Sequence, residues 1–428
     1  MAAQPTAEGT RITRFIARAT RGRATWFVIG AATLCALALS RLPRYLRDPW
    51  EYDFDKLGSV GSKTSGAGLW SNKADRAFGG KTNVAGALML ADTPEQVPLV
   101  ARQIRINDER DPEGPLIAGV VTVFDFLPGT PAEQEEKLAV LERIRRRITP
   151  HLLAGLPEED RAVVQDLWPP PTLRVLTPGD LPPFLRVRFQ EKNGALGTIF
   201  YVKYRNEVSL SDGRNLLRIA RSTDNVALPD GTVVRTASRA TVFAEMIRSM
   251  ERDGPVATAA SFCAVVCVVL VATHSAAGAF AVLSALLVGV LSMMGLAAAL
   301  DHKLNFLNFI ALPITFGIGS EYPFNLYDRS RLLGGDPARA VNLSGGAVAL
   351  CSYTTTIGYG SLLFADNQAL RSFGWLAISG EIACLLAALF VVPSLLHVIG
   401  ANVRERGRRS AREKIGRPLD ELPAKARK

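Results

Sequence analysis

The chain has 428 residues, a 48% hydrophobic fraction and a formal net charge of +10. That length admits two or three ordinary domains. The charge has a location: five arginines stand against Glu8 in residues 1–23, and ten Lys or Arg against four acids in 401–428. These two tails hold the whole excess, with no aromatic-rich basic patch or binding motif beside them, so nucleic-acid binding is not indicated. All five cysteines (Cys35, Cys263, Cys267, Cys351, Cys384) fall in apolar stretches. The polar middle of the chain therefore cannot be built on disulfides, and Cys263 with Cys267 read as buried small residues between helices.

In chain order, residues 1–23 form a basic tail and 24–43 a first apolar run at the lower limit for spanning a bilayer. No small-x-small cleavage site follows it, since the run meets Arg41-Leu42-Pro43-Arg44, so an uncleaved membrane helix is expected. Residues 44–253 alternate strand and helix signals. Strands are expected at 82–91, 116–126, 184–190, 197–205 and 232–236, and helices at 93–108, 131–147, 211–222 and 242–250. Pro169-Pro170-Pro171 divides this stretch into two βαβ-type sublobes of an α+β domain.

From Gly254-Pro255 to residue 400 the chain is nearly free of charge. Five further spans are expected at 256–273, 276–300, 304–327, 340–365 and 372–398, joined by short turns such as Asp301-His302-Lys303. The loop 328–339 carries Arg329, Arg331 and Arg339, which under the positive-inside rule shares a side with both basic tails. The expected fold is a membrane all-α six-helix bundle, one helix plus five, with an α+β domain inserted after the first. Both termini then face the cytoplasm of an inner membrane and the inserted domain faces the periplasm.

Two carboxylates lie within these spans. A charged carboxylate at the bilayer centre costs roughly 2.5–3.5 kcal/mol on insertion scales, so it stays where it is paired, protonated or needed. Glu321 lies in Gly317-Ile318-Gly319-Ser320-Glu321-Tyr322-Pro323. It is readable as a proton carrier or as a neutral, hydrogen-bonded packing residue. Tyr322 points about 100° away from it and would have to donate to it through a shared partner helix or water. Gly317, Gly319 and Pro323 suit close helix packing or a hydrated relay. Thr355 and Thr356 sit in a hydroxyl run that either back-bonds its own helix or serves a carboxylate. Glu381, on the last span near the depth of Thr355, is a second relay candidate ranked below Glu321.

Gly317 to Tyr322 resembles the Gly-x-Gly-x-Asp-Tyr signature of the RND superfamily, closest to its lipid-exporting MMPL branch with its hopanoid-type transporters. Ser352 to Gly360, Phe373-Gly374 and Pro393-Ser394-Leu395-Leu396 are similar to later parts of the same unit. The resemblance implies that the Glu321–Tyr322 pair carries a driving proton and that the inserted domain is a porter receiving a hydrophobic substrate. Two departures stand out: Glu replaces Asp, and Pro323 replaces a small residue. The chain also matches one of the family's two repeats, the C-terminal one, which implies a homodimer or a second half-transporter as partner. The expectation is a proton-driven exporter of lipids or other hydrophobic compounds, with protons as coupling ion and no other cofactor or metal. An accessory docking protein, such as a protein-export accessory of the superfamily, is the alternative. An enzyme is not expected, because no nucleophile, metal set or cofactor motif accompanies either carboxylate.

Overall fold

In the computed structural model, residues 9–400 are described, apart from 63, 78–85, 169–171 and 206. The tail 401–428, the triple-proline break and the start of the strand expected at 82–91 lie outside them. The chain divides into two compact units, one comprising residues up to Ser62 and from Arg248 onward, the other Lys63–Ile247.

The elements run α1 (Arg11–Gly22) and α2 (Ala24–Tyr45), then α3 (Gly66–Ala77), β1 (Gly86–Leu90), α4 (Gln96–Glu109) and β2 (Ile117–Thr122). Next come α5 (Pro131–Arg147), α6 (Pro150–Ala154), α7 (Glu158–Asp166), α8 (Pro183–Arg186), β3 (Ile199–Tyr204) and α9 (Gly213–Thr223). After β4 (Val226–Ala227) and β5 (Val233–Val234) follow α10 (Arg239–Thr273), α11 (Ala276–Ala299), α12 (Ala311–Leu332), α13 (Pro337–Ser361) and α14 (Gln368–Leu386). Helix α14 continues through a π-helical turn at Ala387–Val391 to Gly400.

Among the described residues five helices are long and apolar enough to cross a membrane: α2, α10, α11, α13 with its 3-10 extension to Phe364, and α14 with its continuation. The third expected late span is the exception. Helix α12 has 22 residues but carries Glu321, Asn325 and Asp328, and it packs against α11, α13 and α14. It also starts later than expected. Residues 304–310 form a knot in which Asn305 Oδ1 accepts from the Leu307 and Asn308 amides, both at 2.9 Å, and Asn308 Oδ1 accepts from the Asn305 amide at 2.7 Å. Asparagine side chains that satisfy the local backbone compete with the helical ladder, so the helix is delayed.

The segment after α2 is strapped to the membrane unit. The Glu51 amide donates to Leu304 O at 2.6 Å, Leu304 N to Pro49 O at 2.7 Å and Val60 N to Asp366 O at 2.8 Å. This is why residues 44–62 group with the bundle. The helix expected at 242–250 and the span expected at 256–273 are one rod, α10. Pro255 removes a ladder donor, yet the helix continues, with the Thr258 hydroxyl bonding Gly254 O at 2.8 Å. Cys263 and Cys267 on this rod are exposed, so the expectation that they pack between helices does not hold.

In the inserted unit the two expected sublobes give way to one three-stranded sheet of order β1-β3-β2, antiparallel at both junctions. Strands β1 and β2 are thus parallel flanks with β3 between them, a split βαβ arrangement. Helix α4 buries Val97, Val100, Ala101 and Ile104, the i, i+3, i+4, i+7 set of one face. Helix α9 buries Leu216, Ile219 and Ala220 and contacts α4. The expected strand at 184–190 is instead α8 followed by a 3-10 turn, because Pro182-Pro183 fixes φ at a helix start.

A buried ion pair ties α9 to the turn after α4. Arg218 Nη2 lies 3.0 Å from Asp111 Oδ1, with both side chains under 10% exposed, and donates to Gly114 O at 2.6 Å. Arg218→Met leaves Asp111 buried without its cation. The expected loss is about 3–5 kcal/mol, read as lowered thermal stability of the full chain and faster proteolysis within 63–247. Wild-type resistance in that variant would contradict this account.

Candidate functional site

The site is assembled where α12 and α14 approach each other. A Cβ at Gly319 would lie 2.6 Å from Cys384 Sγ and 3.2 Å from Leu286. One at Gly289 of α11 would lie 2.6 Å from the same sulfur, and one at Gly380 would lie 2.6 Å from Met293 Sδ. Small residues on three helices therefore set their spacing, as expected where apolar solvent gives helices no hydrophobic reason to associate. Cys384, unlike Cys263 and Cys267, is buried between helices. Gly319 lines the contact and Pro323 is buried, while Gly317 meets nothing within 4 Å inside the chain and is exposed, so its expected packing is not made within this chain.

This spacing brings Tyr322 and Glu381 together. Tyr322 is 1% exposed and Glu381 4% exposed, and the Tyr322 hydroxyl donates to Glu381 Oε1. Among the described residues no Lys or Arg pairs with this carboxylate. The Thr355 hydroxyl of α13 back-bonds Cys351 O at 3.1 Å. Thr356 makes no hydrogen bond to Tyr322 or Glu381. The sequence ranking of the two carboxylates is thus reversed in geometry: Glu381, not Glu321, is the buried partner of the tyrosine. Glu321 is exposed on α12, on the same stripe as Gly317 and Asn325. The cause is the 100° step per residue, which turns Tyr322 inward and leaves Glu321 outside. The π-helical turn begins six residues beyond Glu381, a local widening that often accompanies functional positions.

A second polar cluster, beside the expected turn Asp301-His302-Lys303, ties the start of α14 to the knot before α12. Ser372 Oγ accepts from Asn308 Nδ2 at 2.7 Å and Asn305 Nδ2 at 3.3 Å, and lies 2.9 Å from His302 Nε2. Backbone partners fix both amides: the oxygens accept from main-chain N–H groups and Asn308 Nδ2 donates to Lys303 O at 3.0 Å. Ser372 already takes two N–H donors, so its own proton goes to His302 Nε2, which must be unprotonated. The Asn-x-x-Asn spacing beside His302 was the available signal.

The long apolar helices around this pair make the chain a multi-pass membrane protein. A family model described as the MMPL family matches residues 187–422, more than half of the chain, and the chain belongs to that family. No curated protein matches it.

Two outcomes test this geometry. Gly319→Ala drives a methyl into Cys384 and is expected to cost about 1–3 kcal/mol. Adding Cys384→Ala should recover part of it in a double-mutant cycle, whereas purely additive effects would contradict the contact. Burial lowers the His302 pKa from its usual 6.5, partly countered by a main-chain hydrogen bond at Ser372. The folded state therefore prefers neutral His302. Its stabilising contribution is full above about pH 6.5 and is lost as pH falls toward the depressed folded value. Wild type should lose more stability than His302→Gln between pH 7 and 5, by on the order of 1 kcal/mol; equal losses would contradict the cluster's assigned proton pattern.

Proposed function

We propose that this chain is one lobe of a proton-coupled exporter of lipids or other hydrophobic compounds, with Tyr322 and Glu381 as the inner proton pair. The observation that carries this reading is a phenol hydrogen-bonded to a buried carboxylate without a cation. Such a carboxylate is costly when charged in a bilayer interior, so taking up and releasing a proton changes its energy most where it now sits. When Glu381 is ionised it accepts from Tyr322. When it is protonated it gains a donor of its own and becomes a weaker acceptor, so the bond from Tyr322 weakens and can reverse. That switch lies between α12 and α14, so both helices feel it.

Glu321 has the complementary role. Its stripe with Gly317 and Asn325 leaves a carboxylate and an amide on an open helix face, which hydrocarbon does not tolerate cheaply. A second lobe covering this stripe, a copy of this chain or another half-transporter, gives Glu321 a polar partner and doubles the pair. Twofold assembly of identical chains is the commonest form. In the inserted unit a cavity of about 840 Å³ has apolar lining from Pro94, Pro98, Phe124, Leu127, Val175 and Leu196 and charged lining from Glu95, Arg102, Arg105, Asp125 and Glu133, which suits a porter role for cargo with an apolar body and a polar end.

The test is movement of a fluorescent-tailed phospholipid in vesicles carrying the full chain under an imposed pH gradient. Gradient-dependent movement is expected, lost in Glu381→Gln and Tyr322→Phe by at least tenfold (about 1.4 kcal/mol of coupling). In a background without exposed cysteines, Gly317→Cys should crosslink two chains. Undiminished transport in Glu381→Gln would overturn the relay, and failure to crosslink with either this chain or a co-purifying half-transporter would overturn the assembly.

A further inference from the structure

The first basic segment is not a loose tail from Gly9 onward. Thr10 caps α1, its side chain accepting from the Thr13 amide at 3.2 Å, and the helix runs twelve residues to Gly22 before α2 begins at Ala24. Because α2 is a membrane-crossing candidate, covalent continuity places α1 at the bilayer boundary.

Helix α1 has three faces. Thr13, Ile16, Ala17 and Thr20 are buried, with Ile16 and Ala17 in one apolar cluster with Tyr322, Leu326, Val341 and Leu389. At 100° per residue, Arg11, Arg14, Arg18 and Arg21 fall together on one flank and Ile12, Phe15 and Ala19 on the other. The cationic flank contains no acid, and none of its arginines forms an ion pair among the described residues. On the opposite flank Ile12 is 72% and Phe15 70% exposed.

An arginine stripe alone would suit any polyanion, and an apolar stripe alone any greasy surface. Both on one helix, at the edge of a bilayer, match the layered chemistry of a phospholipid surface, where phosphates lie directly above acyl chains. A nucleic acid or an acidic protein would leave Ile12 and Phe15 in water, so the lipid is favoured. We propose that α1 is an interfacial helix that binds anionic phospholipid headgroups through Arg11, Arg14, Arg18 and Arg21. Ile12 and Phe15 enter the acyl region, and the bound helix is held against the cluster that contains Tyr322. The composition of the surrounding leaflet then bears on the packing beneath the tyrosine–carboxylate pair. This goes beyond the transport reading and does not depend on it.

The experiment compares hydrogen–deuterium exchange of the full chain in lipid discs of phosphatidylcholine alone and with about one third phosphatidylglycerol. Residues 11–22 are expected to exchange at least tenfold more slowly in the anionic discs. Arg14→Gln with Arg18→Gln should remove that difference, as should high salt, since surface charge attraction is screened. These arginines lie off the buried face, and unchanged exchange in α13 verifies that the fold is kept. Phe15→Trp should gain fluorescence quenching by bromine-tailed lipid. Equal exchange in both lipids, protection that survives the arginine replacements, or protection produced by inorganic phosphate in neutral discs would each overturn the proposal.

Discussion

The hydrogen bond from Tyr322 to Glu381 is where the membrane unit's packing and its chemistry meet. Two polar groups at 1% and 4% exposure lie among long apolar helices, and each is tolerable only because the other satisfies it. The bond exists because α12 and α14 approach closely enough for glycine at 319 to rest on Cys384, and because Gly380 accepts Met293. Adding a methyl at either glycine separates the helices and leaves a buried carboxylate without its donor, so spacing and chemistry fail together.

The same spacing explains why one helix is less apolar than its neighbours. Helix α12 turns Tyr322, Leu326 and Gly319 inward and leaves Gly317, Glu321 and Asn325 outward. A helix with polar groups on both faces is poorly suited to lipid on either one. Its inner face is covered by α11, α13 and α14, and its outer face is the one the proposed second lobe would cover.

Much of the architecture was readable because hydrophobic length and charge placement are properties of short stretches. The apolar runs at 24–43, 256–273, 276–300 and 372–398 all became helices, and Gly197 to Arg205 contains β3. What failed depended on distant partners. Strand β3 lies between β1 and β2 by pairing with residues 78 to 117 positions away, which periodicity cannot report, so the sequence alone suggests two sublobes where the strands form one three-stranded sheet. The carboxylates were ranked by neighbourhood in sequence, Glu321 beside Tyr322, whereas a helix turns neighbours apart and the partner is 59 residues on. The cluster of His302, Asn305, Asn308 and Ser372 was missed for the same reason: its hub, Ser372, belongs to another helix.

The most direct measurement is infrared difference spectroscopy of the full chain in lipid as the pH is stepped. A titrating Glu381 held by Tyr322 predicts a protonated-carboxyl stretching band that grows on acidification. That band should be absent in Glu381→Gln and displaced in frequency in Tyr322→Phe, where one hydrogen bond is gone. An unchanged carboxyl band in Glu381→Gln would contradict the account, because the proton would then reside on another group.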